Sequence, residues 1–137
     1  MLEDCYFNQV GGNGLVLNGH VTDAIVRNNE FAFCGDSAIV SVGNSHAIDG
    51  TAQTYPNRNL IQRNHIHHVG VFGKQTSCYF QALTANSSFV DNLCYAGPRA
   101  GLNYNDGTSV CHCPQTGEML RMRGPLVRLL VPLRVMK

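Results

Sequence analysis

Reactive side chains gather in three places along the 137-residue chain. The first is His65-Ile66-His67-His68. Residues two apart share a face of an extended segment, so His65 and His67 would project together. Paired imidazoles can hold a metal ion or pass protons near neutral pH. With no carboxylate fixed beside them, they read as a solvated polar face, and no metal is assigned. The second is Cys111-His112-Cys113, whose sulfurs are spaced too tightly for the usual zinc knuckle and are not followed by a second pair. The third is a spread of cationic, amide and phenolic groups. Lys74, Arg99 and Tyr79 are the catalytic candidates, and Gln75, Gln81, Asn103, Asn105 and Asp106 are the substrate-binding ones. Lysine or arginine can neutralise a sugar carboxylate, a tyrosine can take the proton on the adjacent carbon, and amides bond sugar hydroxyls. Glycoside hydrolysis would need two carboxylates about 5 to 9.5 Å apart. Asp106 is the only acid placed with this group, Asp36 and Asp91 falling at turns, so elimination or epimerisation of an acidic sugar is favoured. His20 and His46 fall in loop-like segments and carry no assignment.

The elements that position these groups come from a repeated module ending in glycine. It reads Phe7-Asn8-Gln9-Val10-Gly11, Phe31-Ala32-Phe33-Cys34-Gly35, Ile66-His67-His68-Val69-Gly70 and, one residue shorter, Cys94-Tyr95-Ala96-Gly97. The glycines are 24, 35 and 27 residues apart, an irregular period that points to a solenoid whose units stack on one another. An apolar pair and an asparagine precede the module in Ile25-Val26-Arg27-Asn28-Asn29, Leu60-Ile61-Gln62-Arg63-Asn64 and Phe89-Val90-Asp91-Asn92. A further strand-like run follows it, as in Leu15-Val16-Leu17, Ala38-Ile39-Val40, Tyr79-Phe80-Gln81 and Leu102-Asn103-Tyr104. No apolar stripe of helical period runs through residues 1–107. Three short strands per unit predict an all-β right-handed parallel β-helix of about four coils. Asn29, Asn64 and Asn92 then share one position, expected to adopt the left-handed turn conformation and to hydrogen-bond along the stack.

In the third strand of each unit we take Leu15 and Leu17, Ala38 and Val40, Phe80 and Ala82, and Leu102 and Tyr104 to face inward. Val16, Ile39, Tyr79 and Asn103, with Asn18, Ser41, Gln81 and Asn105, then form an outward strip. Such a strip suits a linear glycan, with Tyr79 as a flat contact.

The chain resembles the right-handed β-helix, pectin-lyase-like superfamily. The segments Gly70-Val71-Phe72-Gly73-Lys74-Gln75-Thr76-Ser77-Cys78-Tyr79-Phe80-Gln81-Ala82 and Gly97-Pro98-Arg99-Ala100-Gly101-Leu102-Asn103-Tyr104-Asn105-Asp106-Gly107 are similar to a group of largely uncharacterised β-helix proteins within it. Members of the superfamily commonly cleave, epimerise or bind polysaccharides, although fold does not dictate function.

Composition divides the chain at Gly107. Residues 1–107 hold thirteen Asn, five Lys or Arg and eight Asp or Glu, for a net charge of −3; residues 108–137 hold no Asn, five Lys or Arg and one acid, for +4. The basic tail, interrupted by Pro125 and Pro132, is expected to lie outside the fold, and no apolar run reaches the ~20 residues of a membrane span. Neither end of the repeat region looks like a solenoid cap, and no charged-then-apolar leader opens the chain. The expectation is a fragment of a longer protein, with localisation open. The slightly acidic repeat region lacks the basic stripe of a nucleic-acid binder.

Of the six cysteines, Cys34 and Cys94 read as small core residues, Cys34 aligning with Val10, Val69 and Ala96, and Cys94 with Phe7, Phe31 and Ile66. Cys5 falls in the asparagine column and Cys78 opens a strand; pairing is not legible from spacing. The functional expectation is a β-helix fragment that binds or processes an acidic polysaccharide, with no cofactor. The alternative is a non-catalytic structural or binding solenoid, or a truncated product without independent activity, and whether the chain is an enzyme stays open.

Overall fold

The computed structural model describes residues 1–44 and 54–105. They hold twelve strands: β1 (Leu2–Glu3), β2 (Tyr6–Asn8), β3 (Leu15–Asn18), β4 (Ile25–Arg27), β5 (Glu30–Ala32), β6 (Ile39–Val42), β7 (Leu60–Gln62), β8 (His65–His67), β9 (Ser77–Ala82), β10 (Ser88–Val90), β11 (Leu93–Tyr95) and β12 (Ala100–Tyr104). No helix occurs among the described residues, so none there could cross a membrane. The strands form three parallel four-stranded sheets. The first runs β1-β4-β7-β10, the second β2-β5-β8-β11 and the third β3-β6-β9-β12. Each sheet thus takes every third strand, which makes the fold all-β and a parallel solenoid. The basic tail, Asp106, His46 and Cys111-His112-Cys113 lie outside the described residues.

Parallel register places one apolar column per sheet against the common core. In the first sheet it is Leu2, Val26, Ile61 and Phe89, and in the second Phe7, Phe31, Ile66 and Cys94. Phe31, Ile61 and Ile66 are fully buried. The Phe7 and Phe31 rings stack with centroids 4.6 Å apart and planes 5° from parallel, about the strand spacing itself. Each such residue contributes about 1.5–3 kcal/mol by leaving water.

The corner between the first and second sheets is held by asparagine. Asn29 Oδ1 accepts the Cys5 amide at 3.0 Å, Asn64 Oδ1 accepts the Asn29 amide at 3.1 Å, and Asn92 Oδ1 accepts the Asn64 amide at 2.9 Å. Each side-chain amide in turn donates to a carbonyl: Asn29 to Leu2, Asn64 to Val26 and Asn92 to Ile61. The ladder along the stack is as the sequence suggests, but the left-handed backbone sits one residue earlier. Asp4, Asn28, Arg63 and Asp91 have φ between 53° and 55°, turning the chain so that the next side chain points inward to make the ladder.

A second left-handed position ends each strand of the second sheet, at Gln9, Phe33, His68 and Ala96. Ala96 therefore stands in that column rather than with Val10, Cys34 and Val69. Two of the module glycines, Gly35 and Gly70, serve close approach, whereas Gly11 has open space beside it and Gly97 no contact closer than 3.4 Å. A Cβ on Gly35 would lie 2.2 Å from the Gly11 carbonyl oxygen; only Gly70 among them has positive φ, at 71°.

Candidate functional site

The third sheet, expected to present the glycan strip, does so only in part. Register aligns Leu15, Ile39, Tyr79 and Leu102 in one column and Leu17, Ser41, Gln81 and Tyr104 in another. Tyr79 and Ile39 are 0 % exposed, and Gln81 is 1 % exposed. Tyr79, Gln81, Ile39 and Ser41 thus face inward, correcting the outward orientation inferred for the middle strands, while Val16 and Asn103 do lie in the outward column. Two features of the strands account for the difference. Val40 and Ala38 are themselves buried, so apolar alternation did not mark the inner face. A polar residue is also tolerated inside, because the Tyr79 hydroxyl donates to Gln81 Oε1 at 3.0 Å.

Lys74, Gln75, Arg99 and Asn105 are exposed and Asn103 half-buried. The Lys74 ammonium donates to the carbonyls of Gly70 and Val71 at 2.9 and 3.0 Å, bracing the loop between β8 and β9. That loop folds over the neighbouring turn, where the Phe72 and Gly73 amides donate to the Gly35 carbonyl at 2.9 Å. Among the described residues, no hydrogen bond or ion pair joins Lys74, Gln75, Arg99 and Asn103 to one another.

A denser constellation lies on the outer face of the second sheet. His65 and His67 point outward from β8, as their spacing implies. Glu30 of β5 is the register partner of His65, and Tyr95 of β11 that of His67. His67 Nε2 meets Glu30 Oε1 at 3.0 Å, while its Nδ1 meets His68 Nδ1 at 2.8 Å. His65 Nε2 meets the Tyr95 hydroxyl at 3.1 Å. Tyr95 stacks on the His67 ring, centroids 5.3 Å apart, and Phe33 stacks on His68 at 4.8 Å while meeting His67 edge-on at 5.9 Å. These rings cover His67, whose side chain is 11 % exposed, but leave Glu30 at 43 %.

Glu30 supplies the carboxylate that the local sequence around His65 and His67 lacks. The signal was present. Glu30 directly follows Asn29 and His65 directly follows Asn64, so the asparagine column already placed them side by side. Tyr95 follows from the same alignment. Phe33 joins because the left-handed backbone at 33 and 68 turns both side chains toward one patch.

Other charges are used structurally. Arg27 pairs with Glu3 at 2.7 Å and Arg58 with Asp23 at 2.6 Å. The Arg58 hydrogen bond holds the Asp23 carboxyl below the ordinary carboxylate range, and the bond to Glu3 holds the Arg27 guanidinium above its ordinary value. Cys78 and Cys94 form a disulfide with Cα atoms 6.3 Å apart, joining the third sheet to the second, so Cys94 is both a core residue and a cross-link.

No protein-family model, curated protein or solved structure matches the chain.

Proposed function

We propose that the chain is a right-handed parallel β-helix of about four coils, of the pectin-lyase-like kind, that binds or processes an acidic linear polysaccharide on the outer face of its second sheet. The observation that carries the reading is the convergence of Glu30, His65, His67, His68 and Tyr95 on that face. Right-handedness follows from the strong bias of parallel crossover connections. A run of exposed rings supports a glycan over a compact ligand: Tyr6 is 60 % and Phe33 45 % exposed, offering flat contacts along the stacking direction. The disulfide fits a protein that matures in an oxidising compartment.

The proton-transfer groups suit chemistry beside a uronate carboxylate. Glu30 orients His67, and His67 backs the exposed His68, an arrangement in which an outer imidazole acts as base. His68 takes the C5 proton, and the Tyr95 hydroxyl, with His65 behind it, supplies a proton on the other side. In elimination the C4–O bond breaks, a C4–C5 double bond forms and the leaving oxygen takes the Tyr95 proton. In epimerisation C5 is reprotonated from the opposite face. Lys74 and Arg99 remain exposed cations able to neutralise further carboxylates, with Gln75, Asn103 and Asn105 as secondary contacts. Tyr79 and Gln81 have no part in this scheme.

The test is incubation of the full chain with polyuronates, following retention by affinity electrophoresis and unsaturated product by ultraviolet absorbance. Retention that Tyr95→Ala and Phe33→Ala weaken together supports the site, and product lost in His68→Ala supports the chemistry. Retention without product selects the non-catalytic binding solenoid. Absence of retention on every acidic glycan overturns the reading.

A further inference from the structure

We propose that Glu30, His65 and His67 form a binding site for a divalent transition-metal ion. The site shares Glu30, His65 and His67 with the face proposed to bind glycan, but the proposal needs only three donor atoms and the packing that holds them, and its test reads metal binding alone.

One ligand atom from each residue lies within 4.8 Å of the others. The closest pair, His67 Nε2 and Glu30 Oε1 at 3.0 Å, has the separation of two neighbouring ligands about 2.1 Å from one ion, which ranges from roughly 3.0 Å at right angles to roughly 3.4 Å in a tetrahedron. His65 closes the remaining distance by turning its ring away from the Tyr95 hydroxyl, its present partner at 3.1 Å. Both histidines stand on β8 two residues apart, and the carboxylate comes from the adjacent strand in register with His65. The backbone therefore fixes the spacing before any ion arrives.

The surroundings prepare His67 as a ligand. A histidine binds metal through a bare nitrogen, and which nitrogen is bare is set by the hydrogen bond of the other. Without an ion, the His67 Nε2 proton faces Glu30 Oε1 at 3.0 Å; a bound ion takes the place of that proton, and with the ring's remaining proton on Nδ1, shared with His68 Nδ1 at 2.8 Å, the bare Nε2 faces the metal beside Glu30. Stacked Tyr95 and edge-on Phe33 hold the ring in place, which lowers the ordering cost of binding. At 11 % exposure the ring has already shed most of its water.

The donor set selects the class of ion. Two imidazoles and one carboxylate suit zinc, cobalt, nickel or copper, whereas calcium and magnesium prefer oxygen ligands throughout. Three protein ligands on an outer face leave at least one position for water or an incoming group.

Metal-free full-length protein should be titrated with zinc by calorimetry and with cobalt(II) by visible absorbance. One equivalent should bind with nitrogen–oxygen ligand bands and without sulfur-to-metal charge transfer, and binding should persist in a Cys111→Ser, Cys113→Ser double variant. His65→Ala, His67→Ala and Glu30→Gln should each weaken it at least tenfold. Glu30→Gln keeps the shape of the side chain and an acceptor for His67, so it tests coordination with the fold intact, as circular dichroism would verify. Failure to bind zinc and cobalt, affinity unchanged in Glu30→Gln and His65→Ala, or a spectrum dominated by thiolate ligation would each overturn the proposal.

Discussion

The side-chain oxygen of Asn64 accepts two bonds from Asn29, one from its backbone amide at 3.1 Å and one from its side-chain amide at 3.0 Å. Asn64 is 1 % exposed and in turn donates to Asn92, whose Oδ1 accepts both the Asn64 backbone amide and its side-chain amide at 2.9 Å. Asn64→Ala therefore strands buried donors and acceptors on both sides, each costing about 1–3 kcal/mol. We expect a loss of about 3 kcal/mol or more in chemical denaturation. Gln75→Ala, at an exposed position, should change stability by less than about 0.5 kcal/mol. Equal effects at the two positions would remove the ladder from the account of stability.

The Cys78–Cys94 disulfide closes a sequence separation of 16 residues. A loop of that size contributes about 3 kcal/mol by restricting the unfolded chain. Denaturation with and without reductant should differ by that order, and a Cys78→Ala, Cys94→Ala variant should match the reduced protein. No difference on reduction would mean the cross-link does not constrain the unfolded state.

Cys34 is free and fully buried, and burial pushes its thiol above the ordinary cysteine value. Below about pH 8.5 the thiol is neutral in both folded and unfolded chains, and the associated stability is fully present. Above that value the unfolded chain loses its proton first, so stability falls as pH rises toward the higher folded value. The slope should be shallower in Cys34→Ala over the same alkaline range, and the Cys34 thiol should react with alkylating reagents only at the rate of unfolding. Rapid labelling of native Cys34 at neutral pH would contradict its burial.

The solenoid was legible because its demands repeat. A ladder asparagine, an inward apolar residue and a close glycine recur in Asn29, Phe31 and Gly35 and again in Asn64, Ile66 and Gly70, each fixed by the backbone of the neighbouring turn. The third sheet was less legible. Leu15 and Ile39 each stand four residues after their glycine, but the loop after Gly70 delays Tyr79 to nine, and buried Ala38 and Val40 blur the alternation of β6. Polar Gln81 in the core was hidden for a related reason: its partner is the hydroxyl of Tyr79 on the same strand, a pairing that composition does not signal. The Glu30–His65–His67 cluster joins residues 35 to 37 positions apart, so only the alignment of the asparagine column could have assembled it.

The two tyrosines separate the surface from the core. Tyr79 is fully buried, stacks on Phe89 with centroids 5.1 Å apart and donates to Gln81. Tyr79→Phe keeps the stacked ring but leaves the Gln81 oxygen without that donor, an expected cost of about 1–2 kcal/mol. Glycan retention and zinc affinity should be unchanged, because neither proposed site touches this ring. Tyr95→Phe lies outside the core, so its stability should move by less than about 1 kcal/mol. It removes the hydroxyl that holds His65 at 3.1 Å, however, and should reduce turnover of a polyuronate by at least tenfold if Tyr95 supplies the proton. Paired denaturation curves and product assays on the two variants decide the matter. A Tyr79→Phe variant that lost glycan retention at unchanged stability would return the site to the third sheet.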